Sequence, residues 1–263
     1  MNNKPIGVFD SGIGGVTVLQ DLADKFPNED FIYVGDTLNL PYGTKTPEQL
    51  KKLVSNVSEY LVSRDVKAIV IACNTATANS YHLKDEIDVP VIGVIEPTSK
   101  YAYKVSENKN ILTIATNVTI NSESYKKALE GLSNGVGNFY FERCSEFVDA
   151  IENNIINTKE SYDLVYNKLS KYQDKNIDTI ILGCTHFGLY SKELLNVFPN
   201  AKLVGCGGPT ADELFAVLNK NENLNQTKKI GEIEINSTSD PDFMQEKIAW
   251  FKHGYKGVNL IKL

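Results

Sequence analysis

The chain has 263 residues, 42% of them hydrophobic and 23% charged, with a formal net charge of −6; this is the composition of a globular protein able to bury one large core or two compact ones. The excess acid is mild and arginine occurs only as Arg64 and Arg143, which argues against a general role on nucleic acid or an anionic membrane, where clustered cations are needed. No apolar run approaches the roughly 20 residues that span a bilayer, and residues 1–15 lack the basic start and long apolar stretch of a secretory signal, so the cytoplasm is the expected compartment.

Short apolar runs alternate with longer amphipathic stretches, the rhythm of an α/β fold with mostly parallel sheets. Strands are predicted at 6–9, 31–34, 68–72, 91–94, 111–115, 138–141, 179–182 and 202–204. Helices are predicted at 48–64, where Leu53, Val57, Tyr60 and Leu61 fall at helical spacing, and at 124–132, 144–153, 159–173 and 212–218. The polar stretch 219–229 reads as a surface connection, followed by a strand over 231–237, a helix over 243–252 and a strand at 258–261. Two internal echoes organise these elements. Ile69-Val70-Ile71-Ala72-Cys73-Asn74-Thr75 parallels Ile180-Ile181-Leu182-Gly183-Cys184-Thr185-His186, and the strand running into Asp10-Ser11 parallels the one running into Thr116-Asn117 and Thr119. The pattern predicts two similar α/β domains, 1–97 with 206–263 and 98–205, whose sheets face each other across an interdomain active site. The C-terminal edges of open α/β sheets are where ligands bind.

The four cysteines are Cys73, Cys144, Cys184 and Cys206; they do not suggest a disulfide framework, and a reducing compartment keeps them as thiols. A cysteine at a strand end is more often a small core residue than a catalyst, and Cys144 and Cys206 keep that reading. Cys73 and Cys184 are each followed by polar residues where the chain turns into a helix, a position expected to lower a thiol pKa. A metal at Cys184 and His186 is disfavoured, because no C-x-x-C or H-x-x-x-H spacing accompanies them. The glycines of Asp10-Ser11-Gly12-Ile13-Gly14-Gly15 follow the first strand but miss the third glycine of a dinucleotide fingerprint. They suit a small carboxylate held by backbone N–H groups.

Five motifs carry a resemblance. Asp10-Ser11-Gly12-x-Gly14-Gly15, Pro41-Tyr42-Gly43, Ala72-Cys73-Asn74-Thr75, Thr116-x-x-Thr119-Ile120 and Gly183-Cys184-Thr185-His186 resemble the glutamate racemases in order and spacing, from about Ile6 to at least His186 and more loosely through 237–243. The resemblance implies isomerisation of an amino acid without pyridoxal phosphate or metal. Two cysteines would flank the α-carbon, Cys73 deprotonating the D-enantiomer and Cys184 the L-enantiomer. It places Asp10 near Cys73, and His186 and Glu152 near Cys184, assisting proton movement. Asp10, Ser11, Pro41, Tyr42, Gly43, Asn74, Thr75, Thr116, Thr119, Thr185 and His186 would hold the substrate. It further implies a supply of D-glutamate for peptidoglycan and a possible homodimer. His186 favours glutamate over aspartate, whose racemases have Thr-Glu after the second cysteine.

Each residue also has a plainer role: Asp10 as a helix cap, Glu152 as a solvated helix residue, Tyr42 as core, His82 and His253 as surface residues. Phe187-Gly188-Leu189-Tyr190 departs from the Tyr-Pro that usually follows the histidine, which predicts a looser turn. Three rival functions remain open at this point: racemisation of aspartate or another amino acid, a one-sided carbanion reaction such as decarboxylation, and a regulatory protein that binds an amino acid without turnover.

Overall fold

The computed structural model describes residues 2–263, the side chain of Glu152 excepted. The chain divides into two compact units, Met1–Val94 with Gly207–Leu263, and Ile95–Cys206. The first unit holds β1 (Ile6–Asp10), β2 (Phe31–Gly35), β3 (Ala68–Ile71) and β4 (Val91–Gly93), and the second holds β5 (Asn110–Ala115), β6 (Asn138–Arg143), β7 (Thr179–Gly183) and β8 (Lys202–Val204). The tail returns to the first sheet as β9 (Ile233–Ser237), paired with β2, and β10 (Tyr255–Leu260), paired with β9.

All pairings are parallel, and the sheet orders are β10-β9-β2-β1-β3-β4 and β6-β5-β7-β8. The order β2-β1-β3-β4 therefore recurs as β6-β5-β7-β8, so the short sequence echo marks a repeated topology. Strands buried on both faces read as continuous apolar runs rather than alternating ones, and β1, β3 and β7 are buried along their whole length. In each sheet the chain moves from the first strand to one side, then returns to the other. The loops after β1 and β3, and after β5 and β7, thus diverge at a switch point and leave room at the C-terminal edge.

Local chemistry sets the helices. The helix Pro47–Ser63 starts at a capping box between Thr46 and Gln49, with Pro47 in its first turn, and buries Leu50, Val54, Val57 and Leu61. The helix predicted at 212–218 is longer, Gly207–Lys220, and the one predicted at 159–173 tightens into 3-10 winding after Leu169. The longest helices that were not legible are Val16–Lys25 and Ile95–Val105, and the shorter Leu83–Glu86, Asn117–Asn121 and Ser191–Val197 were missed as well. The first follows a glycine run that signals a turn. The second carries Pro97 in its opening turn, where proline is tolerated because the N–H it lacks has no helical partner. The second unit closes around Leu112, Ile114, Phe147, Val165, Ile180 and Leu194. Among the described residues no helix is long and apolar enough to cross a membrane.

Candidate active site

In the first unit β1 and β3 are neighbours in register, Phe9 opposite Ile71, so Asp10 and Cys73 emerge together at the C-terminal edge. Asp10 is buried and its Oδ1 accepts from Gly12 N at 2.9 Å. It does not cap the helix Val16–Lys25, whose N-terminal residue Gly15 has no side-chain cap. It shapes the glycine turn instead. Tyr33, mid-strand in β2, donates its hydroxyl to Gly12 O at 2.9 Å and braces the same turn from beneath. Gly15 is required here by close approach: a Cβ would lie 2.3 Å from Asp10 Cβ and 2.8 Å from Tyr33 Oη. Gly15→Ala is therefore expected to displace Asp10, costing about 1–3 kcal/mol in stability and reducing turnover, both read from urea unfolding and rate assays. Unchanged values in both would show that Asp10 is not held as described.

Cys73 caps the short helix Asn74–Thr77, its Sγ accepting from Ala76 N at 3.4 Å and donating to Ser11 Oγ at 3.6 Å. Asn74 and Thr75 are buried directly after it. The expected lowering of its pKa does not occur. Burial, then the charge of Asp10, push the Cys73 thiol up to about 12, against smaller lowering contributions from the Ala76 N–H and from the Ser11 hydroxyl and backbone. A helix of four residues carries too small a dipole to outweigh desolvation. Cys73 is therefore a thiol at neutral pH. Tyr42 is buried and lies within the electrostatic reach of both Cys73 and Asp10, while Pro41 is exposed and Gly43 half-buried.

In the second unit β5 and β7 repeat the arrangement, Ala115 opposite Gly183, which brings Thr116 and Cys184 out side by side. A Cβ on Gly183 would sit 2.8 Å from Ala115 Cβ, so the glycine lets these two strand ends close up. Thr116 caps the helix Asn117–Asn121 through Thr119 N, and the two threonine hydroxyls are 3.0 Å apart. Cys184 is half-buried with Sγ 3.7 Å from His186 Nδ1, and Thr185 and His186 are also half-buried. Glu152 closes the helix Ser145–Glu152; the placement of its side chain lies outside the described residues. The turn after His186 is firmer than its glycine suggests. Phe187 and Tyr190 are buried and pack against Phe147 at ring separations of 5.6 and 4.9 Å, and Tyr190 Oη donates to Phe147 O at 3.2 Å.

The other cysteines and histidines do not join either cluster. Cys144 lies in the second unit's core and Cys206 donates to Leu182 O. His82 pairs with Ser55 Oγ at 3.0 Å and His253 with Asp24 at 2.9 Å. Among the described residues no group of three or more His, Cys, Asp or Glu is gathered so as to hold a metal ion. Because the thiolate is the reactive form, Cys184, the more exposed thiol, is expected to react with iodoacetamide well before Cys73 at pH 8, where burial and the charge of Asp10 keep Cys73 protonated. Asp10→Asn removes a charge that opposes the thiolate and should speed labelling of Cys73. Peptide mass spectrometry reads both rates, and faster labelling of Cys73 than of Cys184 would contradict this picture.

A buried carboxylate and thiol thus lie at one sheet's switch point, and a thiol beside an imidazole lies at the equivalent point of a second. The chain belongs to the Asp/Glu/Hydantoin racemase family, whose model matches residues 6–205. It is 38% identical to the glutamate racemase of Exiguobacterium sibiricum over 98% of this chain and 96% of that one, and 36% identical to that of Clostridium botulinum over 93% and 95%. Its fold matches a glutamate racemase of Bacillus anthracis with a TM-score of 0.94 at 30% identity, covering 100% of this chain and 99% of that one. The glutamate racemase of Francisella tularensis, solved in complex with D-glutamate, matches with a TM-score of 0.90 at 31% identity, covering 100% and 98%. An aspartate racemase of Picrophilus torridus shares the fold at 18% identity and a TM-score of 0.61.

Proposed function

We propose that this chain interconverts L- and D-glutamate without a bound cofactor, using Cys73 and Cys184 as paired acid and base, and that the D-glutamate supplies peptidoglycan synthesis. The observation that carries the reading is the repeated placement of a thiol with a polar partner at the switch point of each sheet, Cys73 beside Asp10 and Ser11, Cys184 beside His186. Inversion needs a base and an acid on opposite faces of the α-carbon, and running both ways needs each residue to serve as either.

In the L-to-D direction Cys184, as thiolate, takes the α-proton and becomes the thiol, the electron pair of the broken bond staying on the α-carbon, and His186 beside it takes up the thiol proton when the thiolate is restored. Cys73, already protonated, delivers its proton to the other face. In the reverse direction Cys73 is the base. Burial and Asp10 oppose its thiolate, so that step draws on the substrate's own α-ammonium charge, since a nearby cation favours an anion. Asp10 then receives or relays the Cys73 proton, and Glu152 joins His186 on the Cys184 side. Ser11, the Pro41-Tyr42-Gly43 segment, Asn74, Thr75, Thr116, Thr119 and Thr185 hold the carboxylates and ammonium, mainly through hydroxyls, amides and backbone N–H groups. With so few arginines in the chain, neutral donors must also stabilise the carbanionic state in a site that excludes water.

Glutamate is preferred over aspartate because the relatives at 35–38% identity bear the name glutamate racemase, whereas the aspartate racemase match is far more distant. The test is incubation of the purified protein with L-glutamate in D2O, and with L-aspartate in parallel, with and without chelator. Loss of optical rotation with α-deuterium incorporation for glutamate alone, unaffected by chelator, is the expected result. Turnover of aspartate alone would overturn the specificity, and no exchange with either would overturn the reading.

A further inference from the structure

Asp36 follows β2 and is fully buried, yet no cation faces it at hydrogen-bond distance among the described residues. Its carboxylate is held by neutral donors: Tyr42 Oη on Oδ2 at 2.6 Å, Thr238 Oγ1 on Oδ1 at 2.9 Å, and Asn39 Nδ2 across both oxygens at 3.0 and 3.1 Å. A charge buried without a counter-ion is costly to keep, so its partners must be well placed. Thr238 is. Its backbone N–H donates to Gly35 O at 3.1 Å, and its hydroxyl accepts from Leu38 N at 2.9 Å, which leaves its own hydrogen aimed at Asp36. The turn around it is joined to the same loop a second time, Thr37 Oγ1 lying 2.6 Å from Ser237 Oγ and accepting from Ser239 N at 3.0 Å. The parallel register that sets Gly35 opposite Ser237 is what brings positions 36 and 238 side by side.

We infer that Thr238, on the returning tail, is a positioning residue for the glutamate site, acting through Asp36 to hold Tyr42 and the backbone of Pro41-Tyr42-Gly43 in place. The inference rests on the proposed racemisation of glutamate. Thr238 lies beyond the 6–205 stretch matched by the family model, so the tail is part of the site's support as well as of the sheet's edge. The Tyr42 phenol commits its only hydrogen to Asp36, which fixes the ring's direction and leaves its oxygen able only to accept.

Thr238→Val keeps the shape and removes the hydroxyl. It is expected to raise KM for L-glutamate about tenfold, the scale of one hydrogen bond to a charged group, with a smaller change in kcat. Thr238→Ser, which restores the hydroxyl, should return KM to within about twofold of the parent on the same scale. A merely structural threonine would shift the urea midpoint without moving KM of the folded protein. Tyr42→Phe cuts the other end of the same chain of bonds and should raise KM to a similar extent, and adding Thr238→Val to it should have little further effect. If the parent racemises glutamate but folded Thr238→Val keeps its KM, or if Tyr42→Phe does, the inference is overturned. If the parent is inactive on glutamate, the functional reading itself fails.

Discussion

The Cys73→Ala and Cys184→Ala proteins are each expected to racemise glutamate about 10⁴-fold more slowly than the parent, in both directions, the upper end of what one acid–base group contributes. In the proposed mechanism either direction of inversion uses one thiolate and one thiol, so removing one sulfur removes the base for one direction and the acid for the other. The two losses should differ in what survives. With Cys73 gone, Cys184 can still remove the α-proton of L-glutamate and return a deuteron from D2O to the same face, labelling L-glutamate without inverting it. With Cys184 gone, Cys73 should do the same for D-glutamate. Proton NMR of the α-position beside chiral chromatography separates exchange from inversion. Full racemisation in either variant would remove the paired-thiol mechanism, and loss of activity through misfolding is recognised by the urea midpoint, since Cys73 and Cys184 are small side chains at strand ends rather than centres of the core.

How much of this could be read from the sequence follows from which forces are local. The central strands β1, β2, β3 and β7 were legible because each is a short run buried on two faces, the edge strands β6, β8 and β10 because short apolar runs mark them although they are only partly buried, and the two cysteine turns because small and polar residues interrupt the central runs at equivalent points. Repeated topology turned two weak echoes into one pattern. The ionisation of Cys73 was not legible. The polar residues after it imply a helix start, but the helix has four residues, and Asp10, sixty-three positions earlier in the chain, arrives beside it only through the β1–β3 pairing. The Tyr33 brace and the Asp36–Thr238 pair were hidden for the same reason: their partners are separated by 21 and 202 positions and meet only after strands assemble. The departure at Gly188 misled in the other direction. It predicts a loose turn, but the neighbours Phe187 and Tyr190 anchor the segment on Phe147, a ring the helix Ser145–Glu152 supplies.

The largest expected loss of stability comes from the opposite edge of the first sheet. Lys67 and Glu29 are 0% and 3% exposed, with Nζ and Oε2 2.5 Å apart. Lys67 Nζ also donates to Asn2 O at 2.9 Å and Asn223 O at 2.8 Å, and Glu29 Oε1 accepts from Asn225 N at 2.8 Å. One ion pair thus ties the start of the chain and the connection after the helix Gly207–Lys220 to the entry ends of β2 and β3. Lys67→Met removes the cation but leaves the Glu29 carboxylate and two carbonyls buried without it, which is expected to cost about 3–5 kcal/mol. Glu29→Gln should cost less, since an amide keeps an acceptor for Asn225 N and is neutral. Pairing Lys67→Met with Glu29→Leu should recover part of the loss, because a buried pair exchanged for apolar groups of similar volume is far better tolerated than half a pair. The urea midpoint with unchanged slope measures each step. Turnover by the folded fraction should stay at the parent level, because the pair lies at the strand starts while Asp10 and Cys73 lie at the strand ends. A Lys67→Met protein within about 1 kcal/mol of the parent, the range of an exposed pair, would mean that water reaches this edge and that the tail is held by its strand pairing alone.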